Sequence, residues 1–583
     1  MRVSPALVVT YSDGSVKEYP LYYQEVAKSG DNIGGSIFGQ ILDMNGNPFA
    51  VLAYSKDSIS FNPDTNSILK AGDKYYLITH FEEPSGMLYQ TEIDPATLKA
   101  KSTKPINFSS VLGTIINCAG HRTPYGTHLG GEEDYNLNSI YADKSSPYYV
   151  DCEIGSDGYY TGNNKDGKGD YFCQYVGSVQ RYLGDKNINK DNGYLGDKFN
   201  LYNYGYIVEV NIKPDGSSEV AKHYVTGKYT PEMALMMPDN KTLYMTDDGD
   251  YKGFYKLVLN QPQTSFNKNW CGTLYAVKLT QKDKANGGVF DISWIKLGEG
   301  CDSEIKTIID KKTVLSDIFQ LGDPKSCNTS AGFKLIKEDG LDECIKLRTG
   351  SDRSSKFASD DEVKKAAAFL EPRKYAAYLG ATVEFDKGEG MTYDPDNRKI
   401  YLAISSIRNG MTDTSGDIQL DANACGGVYA LDLDANYNAA SMKGLVLGKP
   451  LKAGEQYADK YACSPDGISN PDNLRYIGRD ILIIGEDTSR HLNNMVWAYN
   501  LKTGKLTRIA TLPTGAESTG MFEVANINGN FVIAFNAQHP FVDKMYNASG
   551  QVVNQTYLDA NKDKRKGIVG FLRGIPAGIF FDR

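Results

Sequence analysis

A turn followed by a short β run recurs along the whole chain, and it constrains the fold more than any other feature. Pro238-Asp239-Asn240 precedes the run 242–246, Pro395-Asp396-Asn397 precedes 399–404, Pro471-Asp472-Asn473 stands ahead of 480–485, and Asn528-Gly529-Asn530 precedes 531–535. Ala71-Gly72-Asp73 before 75–79 is an early version. Such turns preset the chain reversal, and the alternating runs then pair as hairpins. Hairpins repeated over hundreds of residues with almost no helix between them leave many strand edges, and radial repetition protects those edges. The pattern predicts an all-β fold, a β-propeller spanning residues 1–583 as one domain with long loop and helix insertions at about 134–203 and 302–379. The second insertion holds the one helix the sequence predicts, near 360–378, with Asp360 and Asp361 as caps. The first reads as a loop-rich excursion over one face. A tandem of β-sandwiches is the alternative, but no composition break marks a linker.

The use of 58 Gly and 40 Tyr agrees with an all-β chain. With 63 basic against 72 acidic residues and a net charge of −9, the chain lacks the basic surface that nucleic acid requires. No stretch reaches the ~18 apolar residues of a membrane span. The first nine residues do not resemble a signal peptide, so either the chain is cytoplasmic or a leader has been removed. The nine cysteines bear on that choice. None forms a CxxC pair, and the eight that follow Cys118 fall at intervals suited to local bridges. Among about a hundred pairings open to eight cysteines, one joins Cys152 to Cys173, Cys271 to Cys301, Cys327 to Cys344 and Cys425 to Cys463. Bridges imply an oxidising compartment, periplasmic or secreted; nine buried thiols in a cytosolic protein is the competing reading.

Residues 117–134, NCAGHRTPYGTHLGGEED, combine a thiol, Cys118, with the carboxylate pair Glu132 and Glu133. One soft donor beside hard oxygen donors favours a transition metal, iron above all, next to oxygen-loving calcium. Glu232, Glu389, Asp466 or Asp487, and Glu517 each belong to a different strand-rich section. In a propeller the inner ends of successive blades converge, so these acids would meet and repel one another unless cations sit between them. The six His residues (80, 121, 128, 223, 491 and 539) show no HExxH spacing, which argues against a zinc site, and no nucleophile elbow or P-loop is visible.

The segment 117–133 resembles the PhoX family of alkaline phosphatases, whose pattern is Asn-Cys-Ala-Gly-x-x-Thr-Pro-Trp-Gly-Thr-x-Leu-x-x-Glu-Glu, with Tyr125 here in place of Trp. Further segments are similar in the same order, from about residue 30 to the end: Lys228 to Glu232 with Pro231 where the family has His, the acidic strand end Asp247-Asp248, Phe385 to Glu389 with Lys387 in the Arg position, Ser464 to Gly467, Glu486-Asp487, Asn493-Asn494, Gly515 to Gly520, and Gln538-His539-Pro540. The resemblance implies a six-bladed propeller, ferric and calcium ions, and release of inorganic phosphate from small phosphorylated substrates by a monomer without a membrane anchor. By this resemblance Cys118, Glu132, Glu133, Glu232, Asp248, Glu389, Asp466, Asp487, Asn494 and Glu517 are the expected metal ligands. Lys387, Arg490 and Asn493 are the residues expected to hold phosphate. Competing expectations are a non-catalytic calcium-binding surface propeller and a phosphodiesterase or phytase at the same centre.

Overall fold

The computed structural model describes residues 1–52, 58–164 and 170–580. Its strands are antiparallel throughout, and the main sheets contain four-stranded groups that follow one another along the chain. Each group begins with an inner strand: β1 (Pro63–Ala71), β2 (Asn117–Arg122), β3 (Pro231–Met236), β4 (Gly388–Asp394), β5 (Pro471–Tyr476) and β6 (Glu517–Thr519). These strands contact one another in a closed cycle, β1 to β2 and onward to β6, which returns to β1. The groups begun by β3 and β4 join into one nine-stranded sheet through Val289–Cys301. The group begun by β6 is completed by the early strand Tyr22–Lys28, paired with Ile568–Arg573, so the two ends of the chain close the ring.

Apolar side chains from facing sheets fill the space between neighbouring groups. Met233, Leu235 and Tyr244 pack with Met391, Leu402 and Tyr429, and Tyr401 and Val428 pack with Leu474, Leu482 and Trp497. At about 1.5–3 kcal/mol for each fully buried large side chain, this packing holds the inner strands in fixed register around the axis.

The turns follow their sequences with one exception. At Pro238-Asp239-Asn240 the Asp239 carboxylate accepts from the amides of Lys241 and Thr242, and Asn240 takes the left-handed conformation (φ 55°). Pro471-Asp472-Asn473, by contrast, is no turn: it opens β5, and the reversal falls at Gly478-Arg479-Asp480. Pro471 starts the strand, where its missing N–H costs nothing.

The insertions are more helical than the sequence predicts. α1 (Asp170–Leu183) lies in the first insertion, with Phe172, Val176, Val179 and Leu183 buried along one face and Cys173 bridged to Cys152. The second insertion carries α2 (Asp302–Asp310), a single helical turn at Leu315–Ile318, a hairpin of Lys334–Glu338 with Leu341–Leu347, and two longer helices. These are α3 (Asp360–Leu370) and α4 (Pro372–Leu379), separated at Glu371 because Pro372 cannot continue the hydrogen-bond ladder. Ser359, not Asp360 or Asp361, caps α3 by accepting from the Glu362 amide. Four disulfides form, with the nearest-neighbour pairing given above, and Cys118 remains a free, buried thiol. Among the described residues no helix is long and apolar enough to cross a membrane.

Candidate metal centre

The same position on each inner strand supplies a donor to the axis. The second residue of β1 to β5 is Asp64, Cys118, Glu232, Glu389 and Asp472, and the first residue of β6 is Glu517. In β1 to β5 the pairing register breaks at this point, between Pro63 and Asn66, Asn117 and Gly120, Pro231 and Ala234, Gly388 and Met391, and Pro471 and Leu474. A bulge of this kind frees one residue from the ladder and re-aims its side chain. Here it turns five donors toward the axis. A second ring is made by the residue that follows the second strand of each group: Glu82, Glu133, Asp248, Ser405, Asp487 and His539.

The rings lie within metal-binding reach of each other. Donor atoms fall within 4.8 Å of one another in four overlapping sets: Asp64, Glu82 and Cys118; Cys118, Glu133 and Glu232; Glu133, Asp248 and Glu389; and Glu232, Glu389 and Asp472. The Cys118 thiol donates to Asp64 Oδ2 at 3.1 Å, while Asp64 Oδ1 is buried with no hydrogen-bond partner among the described residues. Tyr135 donates its hydroxyl to Glu133 (2.6 Å) and contacts Asp248. Gln538 donates to Glu82 at 2.6 Å.

Gathered carboxylates at this depth resist ionisation. Burial, then the neighbouring Glu82, pushes Asp64 up to about 8, and burial lifts Glu82 to about 7. Burial and adjacent acids also hold Glu133, Glu232, Glu389, Asp472 and Glu517 well above the ordinary carboxylate range, and the Cys118 thiol well above its own. Asp248 is the exception: burial raises it, but Lys387 and the Tyr135 hydroxyl outweigh burial and leave it lowered. Two ionised carboxylates 4.8 Å apart repel by about 3.5 kcal/mol at an effective dielectric of ~20.

Among the described residues Lys387 and His539 are the only basic side chains paired with the two rings. Lys387 Nζ lies 2.8 Å from Glu389, 3.7 Å from Asp248 and 3.9 Å from Asp487, and His539 Nε2 lies 3.3 Å from Glu517. One lysine and one imidazole cannot neutralise this many acids. One thiol amid carboxylates is a donor set that suits a borderline transition metal beside hard divalent cations, so the residues present fit a multinuclear metal centre.

Of the residues expected from sequence, Cys118, Glu133, Glu232, Asp248, Glu389, Asp487 and Glu517 occupy the two rings. Glu132 does not. It is the last residue of its strand, and side-chain alternation turns it away from Glu133 and into the sheet. There it pairs with Lys222 at 2.8 Å and accepts from the amides of Gly205 and Tyr206, both at 3.1 Å. Two other groups carry an acid at the equivalent position, also with an internal partner: Asp247 binds Arg373 of α4, and Glu486 accepts from Trp497 and Met495.

Asp466 is exposed on a loop and belongs to none of the four donor sets. Asn494 braces the backbone, accepting from the Thr488 amide and donating to the Ala516 carbonyl, and Asn493 donates to the Leu512 carbonyl. Arg490 stands farther out, on the wall of a cavity of about 520 Å³ whose floor includes Lys387, Ser405 and Asp487. Tyr125, in the motif's Trp position, spends its hydroxyl on Glu209 rather than on the axis. The sequence reading missed Asp64, Glu82, Asp472 and Tyr135. A signal for three of the inner-ring donors exists, a Pro-acid pair opening a strand at Pro63-Asp64, Pro231-Glu232 and Pro471-Asp472.

The family model described as "Alkaline phosphatase PhoX" matches residues 90–540. Among solved structures, Pseudomonas fluorescens PhoX in complex with vanadate, a transition state analogue, is similar at a TM-score of 0.58 and 16% identity, covering 98% of this chain and 97% of that one. A putative 6-phosphogluconolactonase from Bacteroides uniformis (10% identity, TM-score 0.27, 75% of this chain and 81% of that one) and polysaccharide lyase Uly1 (10%, 0.30, 99% and 100%) match more remotely. No curated protein matches. The likeness to the first of these structures shows a β-propeller-like fold. A family model matched across more than three-quarters of the length places the chain in the alkaline phosphatase PhoX family, as a metal-dependent phosphatase that hydrolyses phosphate esters.

Proposed function

We propose that the chain hydrolyses phosphate monoesters at an iron and calcium centre held between the two axial rings of a single six-bladed propeller. The observation that carries this is the double ring itself: one donor from each inner strand, faced by the residue that follows each second strand. The two sets that share Cys118, one with Asp64 and Glu82 and the other with Glu133 and Glu232, suit ferric iron, because Cys118 is the donor that offers a thiolate. The all-carboxylate set of Glu232, Glu389 and Asp472 suits calcium, and so does that of Glu133, Asp248 and Glu389. Bound there, the cations would supply Lewis acidity toward the phosphoryl oxygens.

The chain's own residues do the positioning. Lys387 projects into the cavity floor beside Glu389, tethered by its backbone: its amide donates to Gly249 O and its carbonyl accepts from the Ser405 amide. Its ammonium is a point charge for one phosphoryl oxygen, where an arginine would present a fork. Tyr135 links Glu133 to Asp248 and so fixes two ring members relative to each other. The clamp of Arg373 on Asp247 holds the adjacent Asp248 at the axis.

Four disulfides support a periplasmic or secreted location. Metal analysis combined with p-nitrophenyl phosphate turnover tests the proposal. Cys118→Ala should lose iron and at least 100-fold in kcat/KM, or about 2.7 kcal/mol. Full turnover in that variant, or after exhaustive chelation, would end it. Light scattering tests the expectation of a monomer.

A further inference from the structure

The second ring is acidic at Glu82, Glu133, Asp248 and Asp487; its sixth group contributes His539, and its fourth contributes the small, uncharged Ser405. The 520 Å³ cavity opens at that gap. Its lining carries four cationic side chains, Lys387, Arg408, Arg490 and Lys544, against two carboxylates, Asp487 and Asp543, in a chain whose net charge is −9. Both carboxylates already face a base: Asp487 lies 3.9 Å from Lys387, and Asp543 lies 3.4 Å from His539 Nδ1.

The two arginines hold equivalent places. Arg408 comes three residues after Ser405 and Arg490 three residues after Asp487, so each stands one step outward from the ring on adjacent groups. Arg408 pairs with Asp250 at 3.6 Å, its charge also reaches the Asp386 carboxyl, and about half of its side chain is exposed. Arg490 has no side-chain partner among the described residues, and its nearness to Arg408 lowers its pKa further after burial has done so. Its backbone is nevertheless tightly held. The amide donates to Thr488 Oγ1, and the carbonyl accepts from Ala462 and Cys463, the latter anchored by the bridge to Cys425. An unpaired guanidinium carried on a fixed backbone beside a second one is a repulsive arrangement that an incoming anion relieves.

We infer that Arg408 and Arg490 form a second anion subsite, which selects phosphate esters whose leaving group itself carries a phosphate or carboxylate. The inference rests on the phosphatase reading, since it places the reacting phosphoryl group at Lys387 and the second anion above it. Lys544, exposed on the same wall, adds charge without a fixed position.

The test compares propane-1,3-diol monophosphate with propane-1,3-diol bisphosphate in the metal-loaded enzyme and reads the ratio of their kcat/KM values. The ratio should favour the bisphosphate in the wild type. It should fall at least tenfold in Arg490→Gln, and further in the Arg408→Gln/Arg490→Gln pair, through KM rather than kcat. Arg490→Lys should recover part of it, which guards against loss through misfolding. A ratio within twofold of wild type in all variants overturns the subsite, as does an equal loss for both substrates, which would assign the arginines to the transferred phosphoryl group. A wild type that hydrolyses neither substrate removes the phosphatase reading itself, and the subsite with it.

Discussion

Glu132 and Asp472 offer a paired test of how the axis is built, because sequence alone nominates the first and passes over the second. Glu132 Oε1 pairs with Lys222 at 2.8 Å and Oε2 accepts two backbone amides, with both side chains fully buried. A glutamine at 132 has the right shape but the wrong donors. With its oxygen toward Gly205 and Tyr206, its NH2 faces the Lys222 ammonium; flipped, its NH2 faces two N–H groups. Lys222 would keep the carbonyls of Gly113 and Asn203 and the face of the Tyr204 ring, but no paired carboxylate among the described residues. Removing one partner of a buried pair costs about 3–5 kcal/mol, so Glu132→Gln should lose that much stability, with or without chelator, while each folded chain keeps its metal. Asp472 differs, since its neighbours Glu232 and Glu389 are like charges within 4.8 Å. Asp472→Asn relieves up to about 3.5 kcal/mol of repulsion per neighbour in the stripped protein, which should melt no lower than wild type. The same change should reduce the stabilisation gained on adding metal and cut turnover at least tenfold. Elemental analysis of refolded chains, melting curves with and without chelator, and p-nitrophenyl phosphate kinetics decide the matter. Metal loss without destabilisation in Glu132→Gln, or a full metal complement in Asp472→Asn, would refute the division between axial and internal acids.

His223 lies buried between Asp302 (2.9 Å) and Glu209 (3.1 Å) and stacked on Trp270. Burial lowers its pKa, but the two carboxylates outweigh burial and raise it to about 9. Its folded pKa therefore exceeds the ordinary value of about 6.5. The resulting stability, about 3 kcal/mol, is fully present below pH 6.5 and is lost as pH rises through 9. His223→Gln should lower the melting temperature most at pH 6 and flatten its decline toward pH 9, and curves parallel to wild type would count against the charged imidazole. Lys387→Met should weaken competitive inhibition by inorganic phosphate at least tenfold, or about 1.4 kcal/mol, with metal content retained. A fall in metal content in step with the inhibition constant would make Lys387 a structural counter-ion instead.

What could be read from the sequence and what could not both follow from where the β-bulges fall. The hairpin punctuation was legible because Asp239 and Asn240 close their turn with local hydrogen bonds and a left-handed residue, and local chemistry is written in local sequence. The same reasoning failed at Pro471-Asp472-Asn473, where Pro and Asp suit the start of an inner strand as well as a turn, and only the ring contacts of β5 distinguish the two. That one error hid Asp472. Glu132 and Glu133 show the complementary limit. Two adjacent acids carry no sign of which one faces the axis, because the answer lies in strand register and in Lys222, ninety residues away. α1 was missed because Gly, Asp and Tyr around it mask a helical face of Phe172, Val176, Val179 and Leu183. The donors share no word in the sequence beyond an acid or thiol beside the break in pairing; what unites Asp64, Cys118, Glu232, Glu389 and Asp472 is that each sits in the unpaired step of its inner strand. A bulge relaxes the demand for a ladder-forming side chain at that step and aims it inward. The position is thereby free to carry whatever the axis requires, and it is also nearly silent to any reading that looks for alternation.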